Sequence, residues 1–69
     1  MDSIVAARAK RRAMKLSQAE FAARFGLIAQ TYKQWERGVR KPDRASSVLL
    51  AVIVEFPEIV ERVVRGYAR

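Results

Sequence analysis

Five residues punctuate this chain: Gly26, Gly38, Pro42, Pro57 and Gly66 are its only glycines and prolines. The stretches between them suit helices of two to four turns, and none alternates polar and apolar residues over a useful length, as a half-buried strand would. Residues 3–14 form a first predicted helix, with Ser3 as N-cap and Ile4, Ala7, Arg11 and Met14 on one face. An arginine on that apolar face asks for a partner. "SQAE" at 17–20 is a capping box, in which Ser17 caps a second helix and Glu20 reaches back; Phe21, Ala22 and Phe25 supply its stripe, and Gly26 ends it at positive φ. A third helix runs from about Ala29 to Arg37 and stops at Gly38. Asp43 can cap a fourth, which is nearly all apolar through Val48, Leu49, Leu50, Val52 and Ile53 and is expected at the centre. Pro57 opens a fifth, about 57–68, lined by Ile59, Val60, Val63, Val64 and Tyr67. Glu58 and Glu61 sit near its positive end, and Arg62, Arg65 and Arg69 toward its negative end. The expected fold is all-α, a compact five-helix domain spanning residues 1–69.

Composition narrows the function. A chain of 69 residues buries only about 60% of its unfolded surface, so self-association would help it. The absence of cysteine and histidine removes disulfides, thiolates, the usual metal ligand and the usual general base. No catalytic residue, metal site or cofactor is expected, and the chain does not read as an enzyme. The net charge is +7, and all of it lies in residues 1–42, where ten Lys and Arg face three Asp and Glu; residues 43–69 hold four of each. Such lopsidedness implies an anionic partner on one side of the molecule. The longest apolar run, Val48–Val54, is far below the roughly 20 residues that span a bilayer, and "MDSIVAARAK" turns charged too soon for a signal segment. A cytoplasmic, nucleoid-associated protein is expected.

Two short helices joined by a tight turn with glycine, at about 17–37, describe a helix-turn-helix, whose second helix lies in the DNA major groove with its N-terminal residues on base edges. The second helix here is "AQTYKQWER". Glutamine can bond adenine through two hydrogen bonds, lysine can reach guanine, threonine offers a methyl and a hydroxyl, and flanking arginines can hold phosphates.

The stretch "LSQAEFAARFGLIAQTYKQWERGVRKPDRASSVLLAVI", residues 16–53, resembles the Cro/phage-repressor (XRE) type of helix-turn-helix, with the lambda-repressor-like fold. More narrowly it resembles small HigA- and MqsA-like antitoxins and related phage regulators. The pairing of "SQAEFA" with "WERG" at this spacing carries the likeness. The resemblance implies base readout by Gln30, Lys33 and Gln34, with Ala29 and Thr31 also toward the groove. It implies phosphate contacts from Gln18, Arg37, Arg40, Lys41 and Arg44, and an ion pair between Arg11 and Glu36 that ties the first helix to the third. At Ile28 the chain departs from the family, which usually has Ser or Thr there as N-cap; a missing cap costs about 0.5–2 kcal/mol. Either the helix begins differently, or Ile28 packs on a partner, or it meets thymine methyl groups.

Plainer readings apply to other features. Phe21, Phe25, Leu27, Tyr32 and Trp35 read as core, although the Tyr32 hydroxyl could reach a phosphate. "RAKRR" at 8–12 reads as a solvated helix face, with at best a non-specific phosphate role for its N-terminal residues, and Arg62, Arg65 and Arg69 are explained by the helix dipole. The expected function is a sequence-specific, double-stranded-DNA-binding transcriptional repressor. It would bind a palindromic operator as a homodimer through Val60, Val63, Val64 and Tyr67, and autorepress a small operon of phage, mobile-element, anti-CRISPR-associated or toxin–antitoxin type. The alternative is an antitoxin-type module that neutralises a partner protein such as a toxin. A membrane-active basic helix at 4–16 is a weaker third reading, because its apolar face is mostly alanine.

Overall fold

Local signals place most helix ends where the chain places them. A computed structural model, which describes residues 2–67, contains α1 (Ser3–Ala13), α2 (Gln18–Arg24), α3 (Ala29–Arg37), α4 (Arg44–Glu55) and α5 (Pro57–Tyr67), with no strand among the described residues. Arg69 and the end of the predicted fifth helix at 68 lie outside them. Ser17 accepts from the Glu20 amide at 3.0 Å while the Glu20 carboxylate accepts from the Ser17 amide at 2.8 Å, the complete capping box. These bonds hold the Glu20 carboxyl below its ordinary range. Asp43 caps α4 by accepting from the Ser46 amide at 2.8 Å. At α1 the cap is Asp2 rather than Ser3: the Asp2 carboxylate takes the Ile4 amide at 3.1 Å, and Ser3 becomes the first helical residue. A carboxylate at a helix N-terminus gains from the dipole as well as from the hydrogen bond.

The α2–α3 turn closes with the Leu27 amide donating to the Ala22 carbonyl at 2.8 Å, a helix-ending pattern that needs a left-handed residue. Gly26 supplies it at φ 72°, and a Cβ there would lie 3.0 Å from Val64 of α5. Glycine is thus required both by conformation and by the helix resting on the turn. The α1–α2 turn solves the same problem without glycine: Lys15 sits at φ 59°. Left-handed backbone costs a side-chain-bearing residue about 1–2 kcal/mol, and the looser unfolded chain of glycine returns part of that. Lys15→Gly is therefore expected to stabilise the protein by about 0.5–1 kcal/mol, read as a higher midpoint in thermal unfolding.

The core comprises Ala7 from α1, Phe21, Ala22 and Phe25 from α2 and its cap, Tyr32 and Trp35 from α3, Leu50 and Ile53 from α4, and Val60 from α5. Phe25, Phe21, Tyr32 and Trp35 form an aromatic chain with centroids 4.8, 5.2 and 6.3 Å apart, which fastens α3 to α2. Helix α1 packs chiefly on α4. One expectation is narrowed and another corrected. Helix α4 packs on both α1 and α5, but only Leu50 and Ile53 of it are buried while Val48, Leu49 and Val52 are exposed, so it is not covered all round. Val60, expected on a dimer surface, is 7% exposed and belongs to the core; Val64 packs against that core, and of the four residues only Val63 and Tyr67 are open. No described helix is long and apolar enough to cross a membrane.

Candidate nucleic-acid interface

Helix α3 has one face locked inward and one face free. Tyr32 and Trp35 bury against the core, and Glu36, whose side chain is 5% exposed, lies at the centre of a polar network. Arg11 of α1 grips its carboxylate with two hydrogen bonds, Nε to Oε2 at 2.8 Å and Nη2 to Oε1 at 2.9 Å. Arg11 Nη1 also donates to the Leu16 carbonyl at 3.0 Å. Gln18, the first residue of α2, donates from Nε2 to Glu36 Oε1 at 3.0 Å. Arg8 adds a weaker ion pair at 3.7 Å and donates to the Glu36 backbone carbonyl. Three helices thus converge on one carboxylate, and the arginine on the apolar face of α1 has its partner.

Arg8 is a member of this network that sequence reasoning assigned to a solvated run. Its position three residues before Arg11, on the same helix face, is the signal that could have found it. Tyr32 is fully buried, so its hydroxyl does not reach a phosphate; Oη lies beside Arg11 and Glu36 without a hydrogen bond of good geometry. Burial disfavours the Glu36 charge, yet the donors around it, led by Arg11, outweigh that and pull its pKa down to about 2. A carboxylate whose folded pKa lies below its unfolded value of 4.5 stabilises the fold above that value and loses the contribution as pH falls toward 2. About 3 kcal/mol rides on this step. Acid unfolding followed by circular dichroism should therefore be steeper between pH 4.5 and 2 in the native protein than in Glu36→Gln.

The free face of α3 follows from the helical period. With Tyr32, Trp35 and Glu36 inward, Gln30, Lys33, Gln34 and Arg37 fall together on the opposite side, Gln30 and Arg37 exposed and Lys33 and Gln34 half-buried. Ala29 and Thr31 flank this set and are half-buried. Helix α3 begins at Ala29 with Ile28 as N-cap, without a side-chain hydrogen bond. The first of the three alternatives for Ile28, a displaced helix start, is thereby removed. Beyond α3, Gly38 at φ 76° turns the chain, and Arg40, Lys41 and Arg44 are exposed and share one open groove beside the N-terminal end of α1. Gln18 lies within the Glu36 network.

A basic molecule that presents amide- and ammonium-bearing side chains on one face of a rigidly held helix, entered through a tight glycine turn, has the make-up of a DNA-binding regulator. The helix-turn-helix family model matches residues 8–53, more than half of the chain, and the protein belongs to that family, of the Cro/phage-repressor type. No curated protein and no solved structure gives a significant match.

Proposed function

We propose that the protein is a sequence-specific transcriptional repressor that binds a palindromic operator as a homodimer and autorepresses a small operon. The observation that carries this reading is the two-faced α3. Its buried face is fixed by Tyr32, Trp35 and Glu36, and its free face groups Gln30, Lys33 and Gln34, whose chemistry suits base edges. In this reading those three read bases, with Ala29 and Thr31 lining the groove wall. Arg37, Arg40, Lys41 and Arg44 hold phosphates. Gln18 serves first as a positioning residue through Glu36 and offers its remaining amide hydrogen to a phosphate. Repression follows from occupying the promoter.

Dimer formation is supported by apolar surface outside the basic region. Val48, Leu49, Val52, Phe56, Ile59, Val63 and Tyr67 are all exposed large hydrophobics on α4, α5 and the residue between them. Along α5 the acidic Glu58 precedes the basic Arg62 and Arg65, Glu61 being paired with Arg24 of the same chain at 3.3 Å, so an antiparallel pairing of two copies sets Glu58 against a basic residue. The same surface would suit a neutralised partner protein; a monomeric mass in solution together with a co-purifying partner would favour that second reading.

Selection of duplexes from a random pool tests the proposal directly, and a palindrome is the expected product. On the selected operator, Gln30→Ala or Lys33→Ala should weaken specific binding by roughly 1–3 kcal/mol and leave binding to random DNA nearly unchanged. Arg40→Ala should weaken both and lower the log–log salt slope by about one. Equal losses on operator and random DNA for Gln30→Ala would remove Gln30 from base readout.

A further inference from the structure

Ile28 is the residue for which the fold offers no intramolecular reason. It is the N-cap of α3 in extended backbone, it makes no cap hydrogen bond, and it is 72% exposed. Both features are unfavourable in isolation. Ser, Thr, Asp or Asn at this position would satisfy one of the free amides of the first helical turn, and an apolar side chain left in water forgoes the gain of burial. The chain makes the expected choice at its other capped helix starts, where Asp2, Ser17 and Asp43 all accept a backbone hydrogen bond.

What surrounds Ile28 narrows its partner. It immediately precedes Ala29 and Gln30, at the end of α3 that meets base edges in a helix-turn-helix. A major groove is polar and flanked by anions, and its one apolar feature is the C5 methyl group of thymine. A second copy of the chain is a poor alternative. Among the described residues, seven of the ten exposed large hydrophobics cluster on α4, α5 and Phe56 between them, whereas Ile28, like Val5 and Val39, lies in the part of the chain that holds the whole +7 excess, where two copies would repel.

The geometry points to Ile28 as a specificity-determining residue that reads a thymine methyl group, in place of the polar cap. The inference rests on the operator reading above. An isoleucine against a methyl adds selectivity that Gln30 and Lys33 do not supply, since their hydrogen bonds ignore the methyl.

The test replaces each thymine of the selected operator, one at a time, with deoxyuridine, which removes only the methyl group, and titrates each duplex with the native protein, Ile28→Val and Ile28→Ser. At one position per half-site the native protein should lose about fourfold in affinity, Ile28→Val should lose a similar factor, and Ile28→Ser should bind both duplexes equally. Ile28→Ser should also unfold at a higher temperature, having gained a cap. No methyl-sensitive position, or the same sensitivity in Ile28→Ser, overturns the assignment while leaving operator binding intact. A change of molar mass in Ile28→Ser would instead place Ile28 at a contact between copies and overturn it. Failure to recover any preferred duplex from the pool overturns the operator reading, and this inference with it.

Discussion

Glu36→Ala should unfold the protein or bring it close to unfolding at room temperature. The substitution removes the acceptor of both Arg11 hydrogen bonds and of the Gln18 amide. It leaves an arginine whose side chain is 14% exposed without a counter-charge. Breaking a buried pair from one side costs about 3–5 kcal/mol, against a total of about 5–15 kcal/mol for ordinary domains, with a chain of this size near the lower end. Glu36→Gln keeps the shape and one acceptor and should fall between. The double change Arg11→Met with Glu36→Leu removes both charges and should recover much of the loss, because apolar pairs of similar volume replace buried ion pairs at little cost. Urea midpoints of the four proteins rank these losses, and the single variants Arg11→Met and Glu36→Leu complete a double-mutant cycle around the pair. If Glu36→Ala unfolds at the native urea concentration, the network is not holding α3 in place.

The second large effect concerns affinity. Under the dimer proposal, Val63→Glu places a charge in the middle of the exposed α5 stripe, at a residue 52% exposed and so outside the core. The monomer should keep its fold and its binding to an isolated half-site. On the full palindrome, losing the linked second contact should cost roughly 10²–10⁴ in affinity. Titration of palindrome and half-site duplexes, beside molar mass in solution, reads both quantities. A variant that stays dimeric and binds the palindrome as tightly as the native protein would move the interface elsewhere.

The helix ends were legible because they are written locally. Ser17 with Glu20, Asp43, and the glycines at 26 and 38 each act within a few residues, and the chain uses them as their chemistry predicts. Asp2 was missed because two good capping residues stand side by side, and spacing alone does not choose between them. Lys15 was missed because a left-handed turn without glycine leaves no mark in the sequence. The outward face of α4 was illegible for a different reason. When Val48, Leu49, Leu50, Val52 and Ile53 are all apolar, no periodicity tells which side is covered, and the packing of α1 decides it. At the interface, helical period alone separates Gln30, Lys33 and Gln34 from Tyr32 and Trp35. The tie from Gln18 to Glu36 spans eighteen residues, and only the folded chain reveals it.

The uneven distribution of charge has a kinetic consequence. The +7 excess is confined to residues 1–42 and residues 43–69 carry no net charge, so under the DNA-binding proposal the α3 and Arg40–Arg44 side is the one a duplex attracts. In the field of a duplex the molecule turns before it touches, so a larger share of collisions arrive with the basic side first, and the association rate should fall steeply with added salt. A molecule held in this attitude slides along non-specific DNA with its neutral apolar helices pointing away from the phosphates. Under the dimer proposal they stay open to a second copy during the search, so two copies can pair on the duplex as well as in solution.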